Sequence, residues 1–467
     1  MIPRATYRLQ LHHDFGFERV AQLAGYLRQL GVSHAYFSPY LKARPGSPHG
    51  YDIVDHAELN PELGDEAAFR AMGEALRRHE LRSVLDFVPN HMGVGGADNP
   101  LWLEVLELGP DAPHAGWFDI EWEPQRTYLH DKLLVPLLGD QYGVELERGM
   151  LRLRFDAQEG SFAVWAYDTH KLPIWPPDYA RIFTNGSLRL EQLSDAFAWL
   201  PNARGLLPRR AAELKARLAN EVREHPESRQ ALQDAVARFE GRTGELDSWQ
   251  PLNELIQRQH WRLAHFRVAA DDINYRRFFN INDLAGLRME LPEVFDHAHQ
   301  RVLRWVREGV LDGLRIDHID GLYDPKGYLK RLTRRLGARR AEGPFYLVVE
   351  KILSPHERLR EDWPIHGTTG YDFLNQVLSL LVDPAAEPAF TESYVEFSGE
   401  QRDYAEITRL AKLHIMENEM AGELNMIARD MARLARQNPR TADFTQSLLR
   451  RAIKELIACF PVYRTYL

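Results

Sequence analysis

The chain has 467 residues, of which 44% are hydrophobic, so it is long enough for more than one domain and for a sizeable core. Its 67 acidic and 58 basic residues give a formal charge of -9, which argues against a nucleic-acid partner because such a partner needs a basic face. One cysteine excludes an internal disulfide, and because the first residues lack a long apolar run and no apolar run of about 18 residues occurs, we expect neither a signal peptide nor a membrane span. We therefore expect a cytoplasmic protein that does not bind a membrane.

The first ninety residues predict alternating strands and helices. Residues 5–11, 34–39 and 83–88 have the composition of strands, and the last of these is apolar throughout. Between them, one helical pattern begins at Phe17 and a second follows Asp65, a residue suited to capping a helix. This alternation predicts a parallel sheet with crossover helices.

The pattern changes after the third strand. Residues 92–205 are rich in tryptophan, proline and glycine, with short strand-like pieces at 150–155 and 162–167. Residues 207–240 then show helical spacing of apolar side chains. We interpret this stretch as an insertion.

The alternation of helices and strands returns near residue 295. Strands are predicted over 313–317 and 345–350, with a helix over 328–336 between them, and a further strand over 371–374. Beyond about residue 400 the pattern is helical throughout.

Three carboxylates, Asp86, Asp317 and Glu350, lie at the carboxyl ends of predicted parallel strands. In barrels built from such strands, that end carries the active site. A buried carboxylate is unfavourable unless it is paired or functional, so a structural ion pair or a helix cap would explain any one of them. Three at one edge of a sheet favour a catalytic site.

The neighbours of two of these carboxylates predict different protonation states. Arg315 and Asp317 are two residues apart on one strand and point the same way, and an arginine keeps a nearby carboxylate ionised, as a nucleophile requires. A plain salt bridge is the alternative. Glu350 follows Val348 and Val349, an apolar setting that we expect to raise its pKa, as a general acid requires. Such a pairing is typical of glycosidic bond chemistry.

Four segments resemble signatures of the α-amylase superfamily of glycoside hydrolases. Residues 86–91 read Asp-Phe-Val-Pro-Asn-His, 313–318 read Gly-Leu-Arg-Ile-Asp-His, 348–351 read Val-Val-Glu-Lys, and 49–53 read His-Gly-Tyr-Asp-Ile. The resemblance implies a retaining enzyme with three catalytic residues: Asp317 as nucleophile, Glu350 as acid and base, and Arg315. It also implies these substrate-binding residues: Tyr51, which stacks on the sugar being cleaved, His49, Asp52, Asp86, Asn90, His91 and His318.

His318 would point to the opposite face of an ideal strand from Asp317, so it reaches the pocket only if the strand has ended there. The sequence contains no His-Glu-x-x-His motif or paired cysteines, and we expect no metal and no cofactor.

Within that superfamily the chain resembles the family of maltooligosyltrehalose synthases, from residue 2 to residue 467. The segments that carry this resemblance are residues 6–11, 43–52, 273–279, 282–288 and 317–322. It implies an isomerase, a (1->4)-α-D-glucan 1-α-D-glucosylmutase of trehalose biosynthesis. This reaction converts the reducing-end α-1,4 linkage of a maltodextrin into an α,α-1,1 linkage. The implied partners are the maltooligosaccharide substrate and a trehalose-releasing hydrolase that acts next.

One departure concerns the fourth superfamily signature, a His-Asp pair. After Glu350, His366 is followed by glycine and His414 by isoleucine. The resemblance therefore implies the N-terminal portion of a longer enzyme. The predicted fold is α/β: a (β/α)8 TIM-type barrel, incomplete at its C-terminal side, with an inserted domain after strand 3 and a helical C-terminal segment. Its predicted parts are residues 1–91 with the first three barrel strands, 92–250 as the inserted subdomain, 251–390 with strands four to six, and 391–467 as the helical segment.

Two alternatives to isomerisation stay open: plain hydrolysis of α-glucans, and a glucan-binding fragment without activity. Isomerisation needs a closed pocket that holds the released glucose and keeps water out. Aromatic side chains of the insertion are candidates for its wall, although they would equally serve to pack the insertion against the barrel; they are Trp102, Trp117, Phe118, Trp122 and Tyr142.

Overall fold

The computed structural model describes residues 2–183, 188–200, 205–337 and 345–466. The chain forms two compact units, of which the first combines Met1–Asn90 with Met289–Leu467 and the second is His91–Arg288. Among the described residues, none of the helices has both the length and the apolar character needed to cross a bilayer.

Residues 1–90 confirm the predicted alternation. Helix α1 ends where Gly31 adopts a left-handed conformation (φ 89°), and α2 begins where the side chain of Asp65 accepts a hydrogen bond from the backbone N–H of Ala68. The elements are β1 (Thr6–Leu9), α1 (Phe17–Leu30), β2 (His34–Phe37), β3 (Leu41–Ala43), β4 (Ile53–Leu59), α2 (Glu66–Arg78) and β5 (Arg82–Phe87).

The second unit holds three small sheets and the helices between them. Its elements are β6 (His91–Gly93), α3 (Pro100–Leu108), β7 (Leu133–Leu138), α4 (Tyr142–Glu147), β8 (Leu151–Asp156), β9 (Ser161–Ala166), β10 (His170–Pro173), α5 (Tyr179–Ile182), α6 (Leu188–Ala198), α7 (Leu206–Glu224), α8 (Pro226–Ala237), α9 (Gln250–Gln257), β11 (Trp261–His265), α10 (Ala269–Asp272), β12 (Arg277–Phe278) and β13 (Ile281–Gly286).

Backbone pairing explains why residues 251–288 belong to the second unit. Strand β11 pairs with β7, and β13 pairs with β6, so this stretch hydrogen-bonds to the first half of the predicted insertion. The grouping differs from the predicted barrel continuation over 251–390, because strand partners distant in sequence leave no local signal.

The third stretch returns to the first unit. Its elements are α11 (Pro292–Arg307), β14 (Gly313–Ile316), α12 (Pro325–Leu336), β15 (Tyr346–Val349), α13 (Tyr371–Ser379), α14 (Glu387–Ser398), α15 (Tyr404–Glu417), α16 (Ala421–Ala435) and α17 (Gln446–Ala458). The predicted strand over 371–374 is wrong, since these residues open α13 after Gly370, which has a left-handed backbone. A short apolar run does not distinguish a strand from a helix.

The central sheet of the first unit fixes the position of the predicted site. Five parallel strands lie in the order β1, β2, β5, β14 and β15, as in a (β/α)8-type fold. In this register Asp86 is directly opposite Arg315, and Arg315 is directly opposite Val348. The strands that carry the signature residues are therefore adjacent, and their carboxyl ends meet at one edge.

Aromatic rings pack the helices of the first unit against the sheet. The ring of Trp305 on α11 is buried, and its centroid lies 4.9 Å from that of Phe69 on α2 and 5.5 Å from that of Tyr40. The ring centroid of Phe69 in turn lies 5.4 Å from that of Phe17 on α1. One cluster thus joins three helices.

We expect Trp305→Ala to lower the free energy of unfolding by about 3–5 kcal/mol, because it removes the centre of this cluster and leaves a cavity. Tyr26→Ala, on the exposed side of α1, is the control and should change it by less than about 0.5 kcal/mol. Urea unfolding followed by circular dichroism measures both. Equal midpoints for the two variants would contradict this account of the core.

Candidate active site

The predicted catalytic carboxylates lie at the carboxyl ends of neighbouring strands. Asp86 is on β5, Asp317 follows β14 and Glu350 follows β15. Backbone hydrogen bonds continue past the strand ends: the N–H of Asp317 donates to the carbonyl of Phe87, and that of Glu350 to the carbonyl of Ile316, both at 2.9 Å. The sheet therefore holds the backbone of both residues.

A single guanidinium group contacts all three carboxylates. Nη1 of Arg315 donates to Oδ1 of Asp86 and to Oδ1 of Asp317, each at 2.6 Å. Nη2 lies 2.9 Å from Oε1 of Glu350. The structure thus brings together the four residues on which the sequence argument depended.

Burial and crowding change the protonation of this cluster. Burial and the negative charge of Asp86 raise the pKa of Asp317 to about 7, against the opposing effect of Arg315. Burial likewise raises the pKa of Asp86, again opposed by Arg315. This corrects the expectation that Arg315 holds Asp317 ionised, because the guanidinium is shared with Asp86 and Glu350 and does not offset the burial.

Glu350 has polar neighbours, in contrast to the apolar setting expected from the two valines before it. Its Oε2 accepts a hydrogen bond from the backbone N–H of His318 at 2.9 Å, and its Oε1 lies 3.3 Å from the hydroxyl of Tyr371. His318 has a left-handed backbone (φ 42°), so the strand has ended before it, as access to the pocket requires. Its N–H is fixed on the carboxylate of Glu350.

Two tyrosines hold Asp86. Its Oδ2 accepts hydrogen bonds from the hydroxyls of Tyr36 at 2.9 Å and of Tyr51 at 2.6 Å, and Arg8 donates to the Tyr51 oxygen at 3.0 Å. The sequence argument missed Arg8 and Tyr36. They are paired across β1 and β2 and lie on strands that lead to the same edge, which is the signal that would have found them.

The loop that carries Tyr51 is closed by its own polar residues. The backbone N–H of Tyr51 donates to Nδ1 of His49 at 3.0 Å, and the hydroxyl of Ser47 donates to Asp52 at 2.5 Å. Gly50 has φ 80°, and a Cβ atom there would lie 2.5 Å from the carbonyl oxygen of Pro39. In this structure His49 and Asp52 therefore shape the loop that presents Tyr51.

Asn90 and His91 fall on either side of the boundary between the units. Asn90 is buried in the first unit, where a Cβ atom on Gly321 would meet both its Oδ1 and the ring of His318. Asn90 therefore packs next to the loop that follows the candidate nucleophile. His91 is buried in the second unit, with its ring 4.5 Å from that of Phe278.

A second ionic cluster, which the sequence argument missed, ties together the segments that follow the two catalytic candidates. Lys351, next to Glu350, is buried and lies 3.1 Å from Oδ2 of Asp320 and 3.0 Å from Oε1 of Glu357. Tyr466 donates a hydrogen bond to Asp320, and Arg464 donates to the Asp320 carbonyl at 2.8 Å. Its only signal in the sequence was a lysine directly after Glu350, at the end of an apolar run.

The candidate aromatic residues of the insertion pack within the second unit. Trp102 and Phe118 are buried with their ring centroids 4.9 Å apart. Trp117 lies against a histidine ring at 4.4 Å, the Tyr142 hydroxyl donates to an asparagine at 2.9 Å, and Trp122 lines a cavity. Their role as a wall of the reaction pocket stays a prediction.

One group of side chains in the described ranges has the spacing of metal ligands: His12, His13 and Asp14. Its histidine rings and carboxylate are mostly exposed, and His13 and Asp14 already pair with each other at 3.0 Å. The catalytic candidates are not part of this group.

Comparisons with known proteins show similarity to α-amylases and to maltooligosyl trehalose synthases. Residues 18–134 match the profile described as the alpha amylase catalytic domain. The chain is 34% identical over 444 residues to a putative maltooligosyl trehalose synthase of Mycobacterium tuberculosis, which covers 92% of this chain and 45% of that protein.

Solved structures give the same result. The maltooligosyltrehalose synthase of Arthrobacter ramosus superposes with a TM-score of 0.73 at 31% identity, over 100% of this chain and 48% of that one. A hypothetical maltooligosyl trehalose synthase of Sulfolobus tokodaii superposes with a TM-score of 0.71 at 28% identity, over 100% and 49%. The chain therefore spans about half the length of the relatives it matches.

The raised pKa of Asp317 predicts a pH-dependent cost of keeping this aspartate. In the folded protein the carboxyl group of Asp317 keeps its proton up to about pH 7, whereas in the unfolded chain it loses the proton near pH ~3.9. The contribution of this group to stability is therefore greatest below pH ~4 and falls as the pH rises towards 7. The stability advantage of Asp317→Asn over the parent should therefore grow by about 2–4 kcal/mol as the pH rises from 4.5 to 8.

Urea unfolding of the parent and the variant at pH 4.5, 6 and 8 measures this difference. Asp234→Asn, at an exposed position of α8, is the control and should follow the parent at every pH. A stability difference between Asp317→Asn and the parent that does not change with pH would show that Asp317 is already ionised at low pH.

Proposed function

We propose that this chain, as a member of the maltooligosyltrehalose synthase family of the α-amylase superfamily, carries the two catalytic carboxyl groups of an intramolecular transglucosylase. The reaction converts the reducing-end α-1,4 linkage of a maltodextrin into an α,α-1,1 linkage. The observation that carries the proposal is the pair of carboxyl groups, Asp317 and Glu350, bound to one guanidinium at the carboxyl ends of adjacent strands.

The spacing of the two groups supports a retaining mechanism. Retaining glycosidases hold their two carboxyl groups about 5–5.5 Å apart, whereas inverting enzymes leave about 6.5–9.5 Å for a water molecule. Asp317 and Glu350 each contact a terminal nitrogen of Arg315, at 2.6 Å and 2.9 Å, which favours the shorter separation. Direct attack by one carboxylate on the sugar then needs no intervening water.

In the first half of the proposed reaction, Glu350 donates a proton to the oxygen between the last two glucosyl residues. Asp317 attacks the anomeric carbon as that bond breaks, and a covalent β-linked glycosyl ester forms. The attack requires the ionised form of Asp317. We therefore expect the acid limb of the pH–rate profile to follow its raised pKa.

In the second half, the released glucose turns within the pocket, and its anomeric hydroxyl attacks the ester. Glu350 now accepts the proton of that hydroxyl, and the Asp317 carboxylate leaves. Two inversions at the same carbon give net retention, so the new linkage is α,α-1,1. Because water competes with the glucose for the ester, the outcome depends on how well the pocket excludes water.

The neighbours of the two carboxyl groups have supporting roles in this proposal. Tyr51 stacks on the sugar whose bond breaks, while its hydroxyl is held by Asp86 and Arg8. Arg315 orients the nucleophile. We assign the remaining predicted substrate contacts to sugar hydroxyls: His49, Asp52, Asn90, His91 and His318.

We also infer that the five parallel strands are part of an eight-stranded barrel that further polypeptide completes, with the second unit as an insertion after its third strand. A closed barrel has no outer strands, whereas β1 and β15 are the outer strands of this sheet. Large apolar side chains on α13 and α14 are mostly exposed, among them Phe373, Phe390 and Phe397. Exposed apolar surface of this extent is typical of a face that packs against more protein.

The product chemistry suggests which reaction follows. An α,α-1,1 linkage at the end of the chain has no free anomeric carbon, so a trehalose unit is released only by cleavage of the adjacent α-1,4 bond. We propose a trehalose-releasing hydrolase as the enzyme that acts next.

Asp317→Ala and Glu350→Gln should each lower turnover of maltoheptaose at least about a thousand-fold in the complete protein, because each removes a group that takes part in bond breaking. Glu361→Gln, an exposed glutamate of the same unit, is the control and should keep the parent rate. Loss of reducing ends, measured over time, gives the rate. Parent-like turnover in either site variant would overturn the assignment.

The same assay separates isomerisation from hydrolysis. Isomerisation removes reducing ends without releasing glucose, whereas hydrolysis creates a reducing end for every bond cleaved. We expect a net loss of reducing ends with little free glucose. Release of one glucose or maltose per bond broken would instead identify an α-glucan hydrolase that uses the same two carboxyl groups.

A further inference from the structure

The second unit contains a cavity of about 580 Å³ whose lining includes none of the candidate catalytic residues. This volume lies within the ~300–1,000 Å³ typical of small-molecule sites. Two tryptophans, Trp122 and Trp175, form part of its wall, together with the polar side chains of Asp111, Asp131, His260 and Arg288. Aromatic faces beside hydrogen-bonding groups provide the two kinds of contact that a sugar ring needs.

Trp175 carries a polar group that the fold leaves unsatisfied. Its backbone N–H donates to the side-chain oxygen of Gln259 at 2.7 Å, and its ring lies edge-on to His260 with 5.5 Å between centroids. The indole N–H is buried and has no acceptor among the residues that the structure describes. Buried donors in folded proteins are nearly always satisfied by the protein, by a ligand or by ordered water, so this one indicates an acceptor from outside the chain.

Backbone groups hold another part of the cavity lining. The N–H of Asp131 donates to the carbonyl of Trp122 at 3.0 Å, and Nδ1 of His260 lies 3.1 Å from the carbonyl oxygen of Asp131. Asp131 has a left-handed backbone (φ 57°), a conformation that a non-glycine residue adopts only where neighbours hold it. These contacts hold Asp131 and His260 in place in the lining.

The charges of the lining select against an anion. Four of its lining residues are acidic, of which Asp119 already pairs with Arg276 at 3.1 Å, and Arg288 is the one arginine among them; the acidic residues are Asp111, Asp119, Glu123 and Asp131. Carboxylates accept hydrogen bonds from hydroxyl groups, while a phosphate or another carboxylate would be repelled.

We propose that this cavity, whose lining contains none of the candidate catalytic residues, is a second α-glucan-binding site that takes a glucosyl segment of a maltodextrin. The choice of a sugar rests on the proposed function of the chain. A cation would also suit carboxylates and aromatic rings, but it offers nothing to the indole N–H of Trp175, which is only a donor. A sugar hydroxyl accepts from that N–H once the half-buried indole turns towards it, and it also donates to the carboxylates.

Calorimetric titration of maltoheptaose into the Glu350→Gln protein tests the proposal, since this variant should bind glucan without turning it over. We expect two sites per chain. Trp175→Phe keeps an aromatic ring and removes the N–H, so it should weaken one of them about ten-fold or more. Trp122→Ala should abolish the same site. Trp199→Ala, an 86% exposed tryptophan of the same unit, is the matched control and should leave both sites unchanged.

Thermal unfolding and competition complete the experiment. Trp175→Phe should unfold at the parent temperature, so that loss of binding is not loss of structure. Two sites of unchanged affinity in both cavity variants would overturn the second site. Displacement of maltoheptaose from it by millimolar tetramethylammonium would reassign the cavity to a cation. If instead the Glu350→Gln protein shows only the tryptophan-dependent site, the second site stands while the proposed catalytic function loses its substrate contact.

Discussion

The arrangement of the candidate site depends on one buried arginine that faces three carboxylates. Arg315 reaches Asp86, Asp317 and Glu350 only because β5, β14 and β15 are parallel neighbours in a register that places Asp86 directly opposite Arg315. The positive charge of one arginine does not balance the negative charges of three carboxylates at this buried position. A proton is therefore retained near neutral pH, and the raised pKa of Asp317 follows from the same constraint. A shift of one residue in the pairing of β14 would separate these groups.

Around that cluster, many polar contacts hold the carboxyl groups and the segments next to them in place. Tyr36 and Tyr51 occupy the outer oxygen of Asp86, and the N–H of His318 occupies one oxygen of Glu350. Buried Lys351 and its partners tie down the segments that follow both catalytic candidates. Preorganisation of this kind is how an active site stabilises charge that develops during bond breaking without first having to reorganise. It also suits a reaction in which a released sugar must turn while the rest of the site stays still.

The two units contain different kinds of candidate functional residues. The first contains the candidate catalytic residues, while the second buries aromatic residues such as Trp102 and Phe118 in its own core and has two other tryptophans, Trp122 and Trp175, in the lining of a cavity. In the proposed function the substrate is a long, neutral, flexible maltodextrin, and the proposed second point of attachment would raise the effective concentration of its end at the catalytic candidates. The relatives that the chain matches are about twice its length, and large apolar side chains on α13 and α14 are mostly exposed.

The sequence by itself determined the strands and helices around the site, the three carboxylates at strand ends and the family signatures. Each of these is written in local periodicity or in a short motif, as for β14, where a buried strand ends just before Asp317. It could not determine that residues 371–374 begin a helix, because a short apolar run suits either structure. Nor could it place Arg8 and Tyr36 beside Tyr51 and Asp86, or show that Arg315 is shared. The pKa of Asp317 and the unsatisfied N–H of Trp175 were likewise decided only by the tertiary structure, because both are sums over neighbours that are distant in sequence.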